Sequence, residues 1–201
     1  MSSLESYLEK KSLQKQVRLI FSNPQLEMIN STAQISLFLA GFGSGKTFII
    51  GARNALYAIK YPHVRGFIGA NTYQQLSKST LVGVFNFWGK LGIKRDVDYV
   101  VNKMPPPEFK IYGERLEKYD HTISFSNGKL IFLGSLENYD AIAGQEFAHA
   151  DLDETKDSPE EGVKDVIVPR LRQKGLWIDK KGDIITDEGL ANEQGLFGFN
   201  P

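Results

Sequence analysis

The stretch LFLAGFGSGKTFII, residues 37–50, constrains this chain more than any other. A short apolar run ends in a loop of small residues, and Lys46-Thr47 then opens a segment of helical character. A loop that turns successive backbone N–H groups inward needs glycine or small side chains, and Gly41, Gly43, Ser44 and Gly45 supply them. A helix starting there aims its dipole and free N–H groups at an anion. A lysine at that point reaches outer phosphates, and a threonine hydroxyl serves a magnesium ion. The spacing meets G-x-x-x-x-G-K-[ST] except at its first position, where Ala40, also small, stands. Phe42 contributes a backbone N–H and an uncharged side chain facing solvent or an interface.

The elements around the loop set its context. Residues 34–40 (QISLFLA) and 64–70 (VRGFIGA) are short apolar runs, as in buried parallel strands. Between them the spacing predicts a helix from Thr47 to Lys60, stopped near Pro62. Leu76, Leu81, Val84, Phe85 and Trp88 predict a second helix, ended by Gly92, and its aromatics, with Tyr73 and Phe87, belong to a core. Residues 93–120 are mixed, with Pro105, Pro106 and Pro107 as a stiff extended piece. HTISFS-NG-KLIFLG predicts a hairpin turning on the positive torsions of Asn127-Gly128. A strand over 146–154, a helix over Pro159–Arg172 interrupted at Pro169, and a last strand over 195–201 follow. Leu4, Leu8, Val17 and Ile20 predict an amphipathic helix ahead of a turn at Asn23-Pro24. This divides the chain into an N-terminal helical segment, 1–30, and a phosphate-loop domain, 31–201. The strand–helix alternation is that of a three-layer α/β sheet, mainly parallel, with the hairpin and proline stretch inserted.

The apolar run EFAHADL ends in Asp153-Glu154. An acid at a strand end beside such a loop holds magnesium, and a glutamate next to it polarises an attacking water. Asp151 competes with Asp153 for the metal role, and Asp153 is preferred because it directly precedes the glutamate. His149 and Asp151 alternate onto one face of that strand. His63, His121 and His149 have no metal-ligand spacing, and Arg53 and Arg65 read as a solvated face or as phosphate contacts to DNA.

Length and composition bound the partners. A chain of 201 residues suits one domain with an appendage. Lys+Arg and Asp+Glu both number 24, so no global positive charge marks a nucleic-acid binder, although a local patch remains open. The absence of cysteine excludes disulfides and thiolate metal sites. No apolar run approaches the ~18 residues of a membrane span, and the first twenty residues are too charged for a signal peptide, so a cytoplasmic location without membrane contact is the expectation.

Five pieces in order resemble the ATPase domain of large terminase subunits, the DNA-packaging motors of tailed bacteriophages and related viruses. They are NPQLEMI, LAGFGSGKT, the run from FSNGKLIFLG to DLDE, VIVPRLRQ and LFGFNP, which together cover roughly residues 20 to 201. The resemblance implies a RecA-like P-loop NTPase of the additional-strand, catalytic-glutamate type that hydrolyses ATP with Mg2+. In it Lys46 and the loop backbone, Gly41 to Gly45 with Phe42 among them, hold the β- and γ-phosphates. Thr47 and Asp153 serve magnesium, Glu154 positions the water, Gln25 reads adenine, and Asn200 sits near the γ-phosphate. Many relatives carry an arginine inside the loop where this chain has Phe42. An arginine stabilises the transition-state charge in cis or from a neighbouring subunit, and Arg170 and Arg172 are the nearest candidates. The implied partners are double-stranded DNA, a homo-oligomeric ring, the portal protein and the small terminase subunit, in the host cytoplasm. Large terminases continue into a nuclease domain, so a chain stopping at Pro201 is expected to be a fragment or split product without one. In the family's sheet the strand of the last motif lies between the loop strand and the acidic strand.

Other readings are a helicase or recombinase of the same branch, a P-loop small-molecule kinase, and a nucleotide-binding module without turnover. The Asp-Glu pair argues against the kinase.

Overall fold

The computed structural model describes residues 19–31, 33, 35–41, 43–142, 144–173, 176–178, 184–186 and 195–197. The expected amphipathic helix over 4–20 falls almost wholly outside them. Helix α1, Asn23–Asn30, opens with Pro24 in its first turn, where a missing N–H costs nothing, and with a capping box in which the Ser22 N–H donates to Gln25 Oε1 at 2.9 Å. Strand β1, Ile35–Leu37, leads through the glycine loop into α2, Lys46–Lys60. Strand β2, Arg65–Ala70, follows. The second predicted helix is one continuous run in three pieces: an α-helical turn Tyr73–Gln75 capped by Thr72, a π-helical turn Leu76–Thr80, and α3, Leu81–Lys90.

Strands β3, Tyr99–Val101, β4, Thr122–Phe125, β5, Leu130–Ser135, and β6, His149–Asp153, come next. A π-helical turn, Gly162–Ile167, passes into a single α-turn, Val168–Arg170, that contains Pro169. Strands β7, Leu176–Ile178, and β8, Ile184–Thr186, pair with each other, and β9, Gly195–Phe197, returns to the main sheet.

The main sheet has the order β1-β9-β6-β2-β5-β4-β3. All pairs from β1 to β5 are parallel, and β4 and β3 extend the edge in antiparallel pairs. The strand of the last motif therefore lies between the loop strand and the acidic strand, as expected. The hairpin joins the sheet through β5, which is itself a partner of β2; only β4 and β3 are the added edge. Its turn differs from the two-residue form. Phe125 faces Lys129, with N–H to carbonyl at 2.9 Å, and Gly128 alone takes a positive φ, 99°. Three residues bridge the strands, with glycine in the bulge position that needs that torsion. Asn127 instead spends its amide on the Ala58 carbonyl, 2.7 Å, pinning the hairpin to the end of α2.

Alternation along the central strands makes the three layers. Ile68 of β2 and Ile131 and Leu133 of β5 join the cluster under α2 and α3, while Phe67 and Phe132 turn to the opposite face with Ala150, Leu152 and Ile167. The aromatics of α3 are core, as expected: Trp88 is fully buried and donates its indole N–H to the Gly51 carbonyl at 2.9 Å.

Candidate active site

The site stands where the sheet's parallel strands end. Gly43 and Gly45 take φ of 76° and 84°, conformations that only glycine adopts cheaply, and Gly45 is the residue from which α2 starts. A Cβ on Gly45 would also lie 2.6 Å from Gln25 Nε2. Gln25 packs there because its amide nitrogen donates to the Ser44 carbonyl at 3.0 Å while its oxygen caps α1. The Lys46 ammonium arches back along the loop and donates to the carbonyls of Ala40, 2.7 Å, and Gly41, 3.1 Å. A flexible cation, a helix start and a curl of backbone thus share one place, which is what an anion with several oxygens needs.

Strand β6 brings the acids to it. Asp153, buried, accepts hydrogen bonds from Thr80 Oγ1 at 2.8 Å and Thr47 Oγ1 at 3.4 Å. Thr47 and Asp153 are 106 residues apart in the chain. Burial pushes the Asp153 carboxyl up from its ordinary range and the neighbouring Glu154 charge adds to this, against the bonds from Thr80 and Thr47 and the charge of Lys46. Glu154 stands in the left-handed region, φ 49° and ψ 51°, a strained conformation for a residue with a side chain, and its carboxylate accepts from Gln75 Nε2. A hydroxyl and one carboxylate converging beside a phosphate loop are the oxygen donors that a magnesium ion takes from protein when phosphates complete its shell.

Asp151 lies on the same face of β6, yet its carboxylate is already held. Asn54 Nδ2 donates to its Oδ2 at 2.8 Å, His149 Nδ1 is 3.5 Å from that same oxygen, and Arg53 Nε stands 3.5 Å from Oδ1. Arg53 is only 1% exposed, so the reading of it as a solvated or DNA-facing residue is corrected: its guanidinium caps the end of α1, donating to the carbonyls of Met28 and Ile29, and donates to Tyr57 Oη. Arg65 is half-buried, with its guanidinium over the Phe132 ring. Lys129, also fully buried, has its ammonium pushed down to about 7 by burial, with Asp151 opposing.

His149 lies against the Tyr57 ring, and burial above all, then the charge of Lys129, lowers its pKa from 6.5 to about 4. The folded chain therefore keeps this ring neutral while the unfolded chain protonates it below about 6.5. Stability is fully present above that pH and is lost as pH falls toward 4. Urea midpoints taken from pH 7 to pH 4 should fall accordingly, and a smaller fall is expected for His149→Phe, which keeps an aromatic ring on Tyr57.

Arg170 and Arg172 are not brought to the loop. The Arg170 carbonyl accepts the Phe147 N–H at 2.9 Å, and Arg172 pairs with Glu146 at 2.8 Å, both just ahead of β6, the strand that ends in Asp153. Roughly 20 Å of extended chain separates Phe147 from Asp153. Phe42 and Asn200 lie outside the described residues. Thr80 and Gln75 are the residues that sequence reasoning missed; inside a predicted helix they carry no signal of an approach to acids on a distant strand.

A family model described as terminase large subunit, T4likevirus-type, N-terminal, matches residues 37–188. Among solved structures, the large terminase of a thermophilic bacteriophage in complex with ATP-gamma-S is similar with a TM-score of 0.57 and 16% identity, over 90% of this chain and 38% of that one. Another crystal form of the same phage protein gives 0.55 and 16%, over 91% and 40%. The ATPase domain of the Thermus phage P74-26 large terminase gives 0.55 and 16%, over 98% of this chain and 84% of that domain. The chain thus spans about two fifths of the first of these phage terminases. No curated protein sequence matches it.

Proposed function

We propose, because this chain belongs to the T4-like-virus-type family of terminase large subunits and matches their N-terminal part, that it hydrolyses ATP to drive double-stranded DNA into a viral procapsid. Its fold is the RecA-like P-loop fold of large-terminase ATPase domains. The observation that carries the reading is the meeting of Thr47 and Asp153 at the start of α2, with Glu154 next in the chain.

In this reading the N–H groups from Gly41 to Gly45 and the Lys46 ammonium take the β- and γ-phosphates. Thr47 and Asp153 would hold a magnesium ion, which would supply positive charge beside those phosphates. Glu154 accepts a hydrogen bond from the attacking water and orients it. Gln25, fixed against Ser44, lies beside the loop for the adenine edge, and Asn200 follows the strand beside both β1 and β6. Such chemistry is positioning and charge stabilisation with little covalent work for the protein. Family membership further supports work in the host cytoplasm with the portal protein and the small terminase subunit.

Arg170 and Arg172 lie too far from the chain's own loop to serve it, which favours their action on a neighbouring subunit of a ring. An arginine supplied in trans raises turnover by about 10³–10⁵. ATP turnover per chain, assayed with and without double-stranded DNA, is therefore expected to rise steeply with protein concentration. Fast turnover that does not change on dilution would overturn the arginine in trans, and absence of turnover in assembled protein with DNA would overturn the ATPase reading.

A further inference from the structure

The helical run ahead of α3 touches both acids of the candidate centre. Gln75 donates to the Glu154 carboxylate, and Thr80, 1% exposed, donates to Asp153 Oδ2 at 2.8 Å. One turn further on, a Cβ on Gly83 would fall 2.5 Å from Thr47 Cγ2, so α3 lies directly against the loop threonine.

The helix geometry explains how one short segment reaches both acids. In an α-helix, residues five apart point about 140° away from each other, since each residue turns the helix by about 100°. Leu76–Thr80 is a π-turn, closed by the Leu81 N–H on the Leu76 carbonyl, five residues back. The wider turn brings Gln75 and Thr80 round to one side, and such turns recur at functional sites.

We propose that Thr80 and Gln75 are positioning residues for the ATPase centre, Thr80 fixing the Asp153 carboxylate for the metal and Gln75 fixing the Glu154 carboxylate for the water. The inference rests on the ATPase reading. Asp153 is buried, and an ionised carboxylate out of water needs donors to hold its orientation. The donor from Thr47 is long at 3.4 Å, and the Thr47 oxygen has a metal to serve, so among the described residues Thr80 is the side-chain donor that remains. Glu154 is similarly constrained, because its left-handed backbone sends the side chain toward Gln75.

The test uses the full chain and three variants, T80V, T80S and Q75L. The Mg2+ dependence of ATP-gamma-S binding is measured by calorimetry, and kcat and KM for ATP are measured separately. A hydrogen bond to an ionised group is large enough to shift such binding by roughly tenfold. T80V should need about that much more Mg2+ for half-maximal binding and lose kcat, while T80S, which keeps the hydroxyl, should return close to wild type. Q75L should bind ATP-gamma-S normally and lose kcat with KM unchanged. Gln75 is half-buried, so Q75L keeps the test open if T80V does not fold. Wild-type Mg2+ dependence in T80V, equal loss in T80V and T80S, or unchanged kcat in Q75L overturns the inference while the ATPase reading stands. A wild-type chain that neither binds ATP-gamma-S nor turns over ATP overturns both.

Discussion

Glu154→Gln lowers ATP turnover by about 10²–10⁴-fold, the span that loss of a positioned base or water-orienting carboxylate produces, and leaves nucleotide binding intact. The expected result follows from where Glu154 stands. Its side chain is not among the donors of the loop, it does not share a bond with Thr47 or Lys46, and its contact within the described residues is Gln75. Glutamine keeps the size of the side chain and loses the negative charge that draws a proton from water. Single-turnover hydrolysis alongside ATP-gamma-S binding checks both halves. Retained turnover would remove Glu154 from the reaction and direct attention back to Asp153.

Asp151→Ala gives the largest expected loss of stability among the charged positions, about 3–5 kcal/mol, because it leaves a buried guanidinium without its counter-charge. The side chains of Arg53 and Asp151 are 2% and 0% exposed. The Arg53 guanidinium cannot turn to water without releasing the carbonyls of Met28 and Ile29, and with them the end of α1 that holds Gln25 against the loop. Urea unfolding of Asp151→Ala at neutral pH measures the cost. Asp153→Asn is the instructive contrast. Burial already opposes charge on Asp153, so that change should leave stability close to wild type while ending metal-dependent hydrolysis. Equal stability losses at 151 and 153 would mean that the two acids do not divide the work in this way.

The sequence made the loop, the acid pair and the order of elements readable because each has a local cause. Glycines at a curl, an apolar run before it and a helix after it are neighbours in the chain, and the Asp153-Glu154 pair marks the end of a strand whatever lies beside it. The strand order β1-β9-β6 was expected only through the resemblance; nothing in the composition of residues 195–197 says which strands they join. Arg53 shows what stays hidden. On a helix with Lys60 and Tyr57, an arginine reads as surface, and its burial depends on an aspartate on β6 and two carbonyls of α1. Asn127 misled for a similar reason. Asn-Gly favours a two-residue turn locally, but the Ala58 carbonyl takes the asparagine side chain and the turn settles with three residues. The π-turn that brings Gln75 and Thr80 to one side leaves no mark in its residues at all.

The place of β9 has a consequence for how the protein comes into being. Strand β1 and strand β6 do not pair with each other; residues 195–197 stand between them and pair with both. A chain emerging from the ribosome carries its phosphate loop and its acid pair long before it carries the strand that joins their two halves of the sheet. Contacts of such long sequence separation form late, after the loop-closure cost has been met. Until residues 195–197 have docked, the edges of β1 and β6 are open to wrong pairing.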